Sequence, residues 1–259
     1  GLKLNVSQLI AYRKCPRCFY FNNILKVPSL KNKASSFGSA VHTALYTFAQ
    51  MKKEGKLQTE DEFISSFVYS LKSERLEEAD FLDSLEKGEH ILRDYFEKKI
   101  GEMPATSNNE VNFRNMDIQV AGIPITGKVD RIDFLDPNQI KLRVVDYKTG
   151  NPDNSAPRLS ITNMGDYLLQ LYFYKLLIEN SSSYKGKVID GQIEFIEMSK
   201  KTNSYQSKLI ELTPDGTNLV VELIKDVYSK ILKLDFSEYN KDSFYKCQTE
   251  EYHYINWLF

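Results

Sequence analysis

The hydrophobic pattern of this chain changes its period after about a hundred residues, and that change most constrains the fold. Apolar side chains first recur at helical spacing, as at Leu85, Leu92 and Phe96. They then alternate with polar side chains, as at Ile118 and Val120, which is typical of a strand with one buried face. The sequence therefore predicts a helical first part and a β-rich part that follows it.

The same patterns, together with capping and turn residues, predict the order of the remaining elements. Predicted helices span residues 7–14, 36–53, 60–73, 75–99, 163–179 and 213–232. Predicted strands span residues 111–113, 118–120, 125–134, 142–147, 188–198 and 205–212. This order of helices, strands, helix, strands and helix predicts an α/β fold whose central mixed sheet is flanked by helices.

Composition excludes several classes of protein. The 259 residues are 42% hydrophobic and 27% charged, which is ordinary for a globular domain and unlike a disordered or collagen-like chain. No apolar run approaches the roughly 20 residues that cross a bilayer, so no membrane association is expected. The three cysteines are too few for a disulfide framework, and their odd number fits a reducing compartment. We therefore expect a cytoplasmic protein.

A net charge of −1 conceals an uneven distribution of charge. Residues 1–56 contain ten basic residues and one acidic residue, a local charge of +9. Such a segment can neutralise the phosphates of a nucleic acid, and aromatic residues within it could stack on bases. The alternative is a solvated basic surface beside a buried aromatic cluster. The aromatic residues concerned are Tyr12, Phe19, Tyr20 and Phe21.

Two neighbouring predicted strands carry charged residues that indicate metal chemistry. Residues i and i+2 of a strand share a face, so Asp146 and Lys148 project together, and Asp130 comes from the preceding strand. Carboxylates from adjacent strands suit a hard cation such as Mg²⁺, and a nearby lysine can orient an attacking water or neutralise phosphate charge. The alternative for an Asp-x-Lys triplet is a solvent-facing ion pair. The position favours function, because the strand must end at Thr149 and Gly150.

Five short motifs, taken in order along the chain, resemble those of one nuclease superfamily. Residues 127–133 (G-K-V-D-R-I-D) and 144–150 (V-V-D-Y-K-T-G) resemble the core of the PD-(D/E)xK nucleases, in the RecB-like branch seen in helicase–nucleases. Residues 38–42 (G-S-A-V-H) resemble the G-x-x-x-H signature of that branch, and residues 170–174 (Q-L-Y-F-Y) its Q-x-x-x-Y helix. Glu110 resembles an acid that is frequent at the first core strand. The proline of the superfamily name is absent, as is normal in this branch.

The resemblance implies a restriction-endonuclease-like core with an N-terminal helical insertion, and a metal-dependent DNA nuclease. The metal would be Mg²⁺ or Mn²⁺, and its implied ligands are His42, Asp130 and Asp146. Lys148 would position or activate the attacking water, while Gln170 and Tyr174 would support that lysine or hold DNA. On the residues alone, a helical histidine or a Gln–Tyr pair four residues apart is usually ordinary packing. Arg131 points to the opposite face of its strand, and we expect it to form a structural ion pair.

The resemblance also implies how the chain is organised and what it works with. We expect residues 1–259 to form one RecB-like nuclease domain. Its expected parts are a basic segment (1–35), a helical block (36–105), the nuclease core (106–212) and a C-terminal helix and tail (213–259). The expected role is an exonuclease that acts with a bound or fused helicase in DNA repair and recombination. One alternative is a catalytically idle DNA-binding scaffold, which the intact acids argue against, because close carboxylates repel each other without a cation. The other is an enzyme of the same fold such as a site-specific endonuclease, for which the sequence shows no recognition segment.

The cysteines raise the question of a second metal site. Some members of the branch hold an iron–sulfur cluster with four cysteines, and Cys15 and Cys247 resemble two of these ligands. Cys18 is the only other cysteine, so a cluster or a zinc site lacks its usual four thiolates. His253 could complete a Cys₃His zinc site. We nevertheless expect neither an iron–sulfur cluster nor zinc here.

Overall fold

The computed structural model describes residues 1–27 and 32–237 of the chain. Its α-helices are α1 (Val6–Lys14), α2 (Pro16–Phe19), α3 (Lys33–Lys53), α4 (Glu60–Ser73), α5 (Glu78–Lys98), α6 (Asp166–Glu179) and α7 (Pro214–Leu232). Its strands are β1 (Asn108–Asn112), β2 (Ile118–Val120), β3 (Ile123–Ile125), β4 (Lys128–Phe134), β5 (Lys141–Lys148), β6 (Lys187–Phe195) and β7 (Ser207–Glu211). Shorter helical turns lie at Tyr20–Ile24, Ile100–Glu102, Pro152–Asn154 and Ala156–Leu159.

Five strands form the central sheet, in the order β1–β4–β5–β6–β7. Strand β4 is antiparallel to both β1 and β5, β5 and β6 are parallel, and β7 is antiparallel to β6. The parallel pair needs a crossover connection, which contains α6. Strands β2 and β3 form a separate hairpin. The predicted α/β fold with a mixed, helix-flanked central sheet is confirmed, and it is consistent with a restriction-endonuclease-like fold.

Helices cover both faces of the central sheet and so create two hydrophobic cores. The larger core packs α1, α6 and α7 against residues such as Ile132 and Val144, which are completely buried. The smaller core packs α3, α4 and α5, and Tyr147 and Ile196 reach into it from the sheet. Successive residues of a strand point to opposite faces. The neighbours of Tyr147 on either side in β5 therefore face α6 instead.

One predicted strand is divided in the structure. The alternation over residues 125–134 predicts one strand, whereas β3 and β4 belong to different sheets. The Thr126 N–H donates at 2.9 Å to the carbonyl of Leu4, which pairs with Ile125 in the small sheet of β2 and β3. The Gly127 carbonyl instead accepts a hydrogen bond at 2.9 Å from the N–H of Phe113, the residue that follows β1 in the central sheet. Only Thr126 and Gly127 separate the two strands, so the sequence gives little sign that the chain changes sheets.

A buried group of charged side chains lies on the face of the central sheet that α5 covers. Arg131 donates two hydrogen bonds to Asp133, at 2.9 and 3.1 Å, and its guanidinium lies 3.4 Å from Glu194. It also donates to the hydroxyl of Tyr147. Glu194 in turn accepts a hydrogen bond from Tyr95 of α5 at 2.5 Å. Arg131 thus forms the structural ion pair that the sequence predicts, and it anchors the Tyr147 side chain.

Most basic side chains of the N-terminal segment are engaged within the protein. Arg13 donates to the carbonyls of Asn163 and Met164, both at 2.9 Å, and Lys14 pairs with the first aspartate of α6 at 2.5 Å. Other basic residues with intramolecular partners are Lys3, Lys33, Lys52, Lys53 and Lys56. These contacts favour the alternative interpretation of the +9 charge, in which the basic side chains belong to the protein surface and do not line a channel for a DNA strand.

The aromatic residues of the same segment are also committed to packing. Tyr12 and Phe19 are buried, and both rings contact Phe236 after α7, with centroids 6.2 and 6.1 Å away. The Tyr20 ring lies 5.0 Å from the same phenylalanine. The suggestion that Tyr12 and Phe19 stack on bases is therefore wrong, because a buried ring has no free face to offer.

Gly88→Ala is expected to destabilise the helical block, because Gly88 leaves room for a buried ring of the neighbouring helix. A β-carbon at Gly88 would lie 2.1 Å from Cζ of Phe67, which is completely buried. Overpacking costs about 1–3 kcal/mol, and we expect the upper part of that range. Denaturant unfolding should show a lower midpoint with an unchanged slope. The control is Gly101→Ala, where, apart from the adjacent residues, no atom of the described part of the chain lies within 4 Å of the added carbon. Equal midpoints for both variants would contradict the prediction.

Candidate metal centre

Three side chains from three separate elements converge on one cavity. His42 of α3, Glu110 of β1 and Asp130 of β4 place their ligand atoms within 4.8 Å of one another. His42 Nδ1 lies 3.5 Å from both Glu110 Oε1 and Asp130 Oδ1. The three residues line a cavity of about 750 Å³ together with Asp146 and Lys148. One imidazole and two carboxylates form a donor set that binds divalent cations.

The main chain of Tyr147 holds two of these ligands in place. Its N–H donates to Asp130 Oδ2 at 3.0 Å, which leaves Oδ1 turned towards His42. Its carbonyl oxygen lies 3.2 Å from His42 Nε2. A proton on Nε2, donated to this carbonyl, leaves the lone pair of Nδ1 facing the two carboxylates, as metal ligation requires. Strand β5 therefore supplies main-chain support to the site as well as side chains.

The register of β4 and β5 brings the two predicted aspartates together. Arg131 is paired with Val145 in these antiparallel strands. One residue further, Asp130 stands opposite Asp146, and opposed residues on neighbouring strands share a face. Both side chains line the same cavity. The sequence separation between them is that of a hairpin, which is why the pattern of the chain could predict their proximity.

Asp146 is engaged with Lys148 and with helix α6. Lys148 Nζ lies 2.7 Å from Asp146 Oδ2, and the Tyr174 hydroxyl donates to Oδ1 at 3.3 Å. Gln170 connects these two contacts. Its Oε1 accepts a hydrogen bond from Lys148 at 2.7 Å, and its amide nitrogen donates to the Tyr174 hydroxyl at 2.6 Å. The Gln–Tyr pair that the sequence places on one helix face thus reaches the Asp-x-Lys strand directly.

The state of Asp146 fits a site that takes a cation. The Lys148 ammonium lies 2.7 Å from the buried Oδ2, and no other donor of the described residues reaches this oxygen. Burial raises the pKa of the Asp146 carboxyl to about 6 despite the ammonium beside it, and the charge of Asp130 adds to the rise. A buried carboxylate oxygen of this kind is costly unless it is paired or coordinated. The residues present therefore suit a divalent ion.

Protonated nitrogen groups balance the other carboxylates of the site. Burial opposes ionisation of Asp130 and His42, but each stabilises the charge of the other, so the pKa of Asp130 is lowered and the pKa of His42 is raised. Burial likewise opposes the Lys148 ammonium, yet the charges of Asp146 and Asp130 raise its pKa. A cation that binds among these groups must therefore compete with protons.

Glu110 offers its carboxylate from a backbone conformation that is rare in strands. Its φ angle is +53°, in the left-handed region, which costs about 1 kcal/mol or more for such a residue. Its neighbours Asn109 and Val111 pair with Arg131 and Val129, which brings Glu110 across from Asp130. The Glu110 side chain also pairs with Lys128. Strained backbone of this kind is concentrated at functional sites. In the sequence, only its position at the first core strand distinguishes Glu110, because the hydrophobic periodicity does not.

The structure gathers every site residue that the sequence predicts. Those that line the cavity or contact its lining residues are His42, Asp130, Asp146, Lys148, Gln170 and Tyr174. The ligand group differs in one respect from the expected one, since Glu110 joins His42 and Asp130 within 4.8 Å. Asp146 faces the Lys148 ammonium instead, because that ammonium is the nearest compensating charge for a buried carboxylate.

Two of the three cysteines, Cys15 and Cys18, lie within the described residues. Cys15 is buried and caps α2, where its sulfur accepts a hydrogen bond from the Cys18 N–H at 3.2 Å. Cys247 and His253 lie outside the described residues. The expectation of no iron–sulfur cluster and no zinc therefore stays a prediction.

Comparison with known families agrees with this geometry. The model of the PD-(D/E)XK nuclease superfamily matches residues 3–253. The chain belongs to the PD-(D/E)XK nuclease superfamily. Nucleases of this superfamily use divalent metals, and in this member a group of His, Glu and Asp side chains is placed to hold one. The match spans both the central sheet and the helical block that precedes it.

Other comparisons add little to the superfamily assignment. No curated protein matches this PD-(D/E)XK chain. The crystal structure of SSO0001 aligns with 95% of this chain and 94% of its own, at 17% sequence identity and a TM-score of 0.38. That likeness is too distant to bear on fold or function. Among the helices of residues 1–27 and 32–237, none combines the length and the apolar character that a membrane span requires.

Proposed function

We propose that this chain is a DNA nuclease that hydrolyses phosphodiester bonds with the help of Mg²⁺ or Mn²⁺. The observation that carries the proposal is the convergence of Asp130, Asp146 and Lys148 on one cavity. Superfamily membership supports a metal-dependent nuclease. We propose His42, Asp130 and Asp146 as metal ligands, and Glu110 as a fourth, because its carboxylate lies within the same group.

Each residue of the site has a role that its contacts support. When bound, a divalent cation supplies Lewis acidity at the scissile phosphate. Asp146 would turn from Lys148 to the cation, which leaves the ammonium to orient the attacking water or to neutralise developing phosphate charge. Gln170 would keep that ammonium in place through its hydrogen bond of 2.7 Å, and the Tyr174 hydroxyl would hold Asp146.

The narrower assignment rests on the motifs. We propose a RecB-like exonuclease that works with a bound or fused helicase in DNA repair and recombination, in the cytoplasm. Its support is the ordered set of G-x-x-x-H, Asp-x-Lys and Q-x-x-x-Y motifs, together with the direct contact between the last two. The whole chain, from residue 1 to 259, would then act as one nuclease domain.

A cleavage assay on matched DNA substrates tests both levels of the proposal. Linear and circular single-stranded DNA of one sequence, and the corresponding duplexes, are incubated with Mg²⁺, with Mn²⁺ or with a chelator. We expect linear DNA to be degraded only when a divalent cation is present, and circular DNA to persist, because an exonuclease needs an end. Released nucleotides that mass spectrometry identifies as carrying a 5′-phosphate and a free 3′-hydroxyl would match the product ends that the superfamily resemblance implies.

Other outcomes of this assay are informative. Cleavage of circular DNA would replace the exonuclease proposal with an endonuclease. Intact DNA under every metal condition would overturn the nuclease proposal. DNA retardation in a gel without cleavage would then favour the idle scaffold that the sequence leaves as an alternative.

Metal binding is expected to strengthen as the pH rises. The pKa of His42 is raised by Asp130, and the pKa of Asp146 is raised by burial to about 6, so both groups hold protons at pH 5.5 that a cation must displace. At pH 8 Asp146 is ionised, and less proton competition remains. Mn²⁺ should therefore raise the unfolding temperature more at pH 8 than at pH 5.5, with a chelator-treated sample as the reference at each pH. A shift of the same size at both pH values would contradict this reading of the site.

A further inference from the structure

Helix α6 presents three side chains in a row to strand β5. Gln170 and Tyr174 contact Lys148 and Asp146 as described above. Tyr167 lies three residues before Gln170 on the same helix, which places it on the same face. It belongs to none of the motifs that identify the superfamily, and nothing in the sequence pattern singles it out.

The ring of Tyr167 completes the surroundings of the Lys148 ammonium. Lys148 Nζ lies 4.6 Å from the ring centroid, within the range of a cation–π interaction. The same nitrogen is 2.7 Å from Asp146 Oδ2 and 2.7 Å from Gln170 Oε1. Tyr167 is only 8% exposed, so this contact lies away from bulk water, where a cation–π interaction is strongest.

Tyr167 is itself held by neighbours outside the metal site. Its hydroxyl accepts a hydrogen bond from Arg158 Nη1 at 2.7 Å, and the guanidinium carbon lies 5.2 Å from the ring centroid. Arg158 belongs to the short helical turn Ala156–Leu159, which follows β5. On the sheet side, the ring contacts Phe195 with centroids 6.4 Å apart. Arg158 and Phe195 thus hold the ring in the place where it contacts Lys148.

We propose that Tyr167 is a positioning residue for Lys148, and that its ring holds the ammonium at the cavity when Asp146 turns to a metal ion. Without the Asp146 contact, Lys148 retains two partners, the Gln170 carbonyl oxygen and the Tyr167 ring. Two partners from one helix fix the direction of a flexible side chain better than one. This inference rests on the proposed function, because it gives Lys148 its part in catalysis.

Two variants at this position separate the ring from its hydroxyl. Tyr167→Phe keeps the ring face and removes only the Arg158 hydrogen bond, so kcat for DNA cleavage should stay within about threefold of wild type. Tyr167→Leu removes the ring, and kcat should fall about 30-fold while KM changes little, since the lost contact orients a group rather than binds DNA. The control is Tyr172→Leu, which truncates a buried tyrosine of the same helix that packs in the larger core. A loss of kcat as large in Tyr172→Leu would show that general loosening of α6 explains the effect.

A second measurement keeps the inference testable without nuclease activity. Reductive methylation with ¹³C-formaldehyde, read by peptide mass spectrometry, reports how accessible Lys148 Nζ is in each folded variant. We expect Lys148 to be labelled several-fold faster in Tyr167→Leu than in wild type or in Tyr167→Phe, while Lys141 on the same strand is labelled equally in all. Unchanged kcat together with unchanged labelling in Tyr167→Leu would overturn the inference. If the wild-type protein never cleaves DNA, the proposed function is overturned instead. The labelling rates would still test whether the Tyr167 ring positions Lys148.

Discussion

Lys148→Ala is expected to lower kcat for DNA cleavage by about 10³-fold while leaving the fold intact. The ammonium is held at the cavity by Asp146 and Gln170, where it can stabilise charge that develops on the phosphate. Removing one preorganised charge or donor of this kind typically costs about 10²–10³-fold in rate. Cleavage rates at saturating metal and DNA, together with circular dichroism and an unfolding curve, measure both parts of the prediction.

The matched control for this variant lies at the other end of the same strand. Lys141 is exposed and begins β5, so Lys141→Ala removes an equal charge from the same strand without touching the cavity. Its cleavage rate should equal that of wild type. If Lys148→Ala cleaves DNA as fast as Lys141→Ala, Lys148 has no part in the chemistry, whatever its position suggests.

Asp130→Asn is expected to abolish metal-induced stabilisation and to slow cleavage strongly. Asp130 contributes one oxygen to the ligand group with His42 and Glu110 and accepts the Tyr147 N–H with the other. Asparagine can still accept that hydrogen bond, so the strand pair should persist, but the negative charge that binds a cation is lost. We expect cleavage to fall about 10³-fold, as the loss of several kcal/mol of metal-assisted stabilisation implies.

Thermal unfolding with and without Mn²⁺ separates the metal effect from the fold. Wild type should show a rise in unfolding temperature when Mn²⁺ is added, and Asp130→Asn should show none. Asp117→Asn is the control, because Asp117 is an exposed acid in the turn before β2 and lies away from the cavity. The proposed ligand would have to be abandoned if Asp130→Asn and Asp117→Asn responded equally to Mn²⁺.

The parts of the site that the sequence predicts are those fixed by local geometry. Alternation predicts that Asp146 and Lys148 share a face, and the short separation between the two acid-bearing strands predicts a hairpin that brings Asp130 to them. Helical spacing predicts that Gln170 and Tyr174 share a face. The structure places all of these together, since each relation depends only on the period of one element or on one turn.

Other parts depend on contacts between distant segments, which no period encodes. Glu110 has a left-handed backbone at a point where its neighbours Asn109 and Val111 pair with Arg131 and Val129 of β4. The change of sheet at Gly127 depends on hydrogen bonds to Leu4 and Phe113, which come from before and after the helical block. Tyr167 meets Lys148 through the packing of α6 against β5. Such features become visible only once the chain is folded.

The contacts of residues 1–14 within the protein bear on where DNA would bind. Leu4 is bonded into the small sheet through both its N–H and its carbonyl, and Arg13 ties α1 to the loop before α6. This stretch is therefore built into the body of the protein and is not a detachable arm that wraps around a ligand. A search for contacts to the sugar–phosphate chain should accordingly begin with α3, where the exposed hydroxyl residues Ser39 and Thr43 line the cavity.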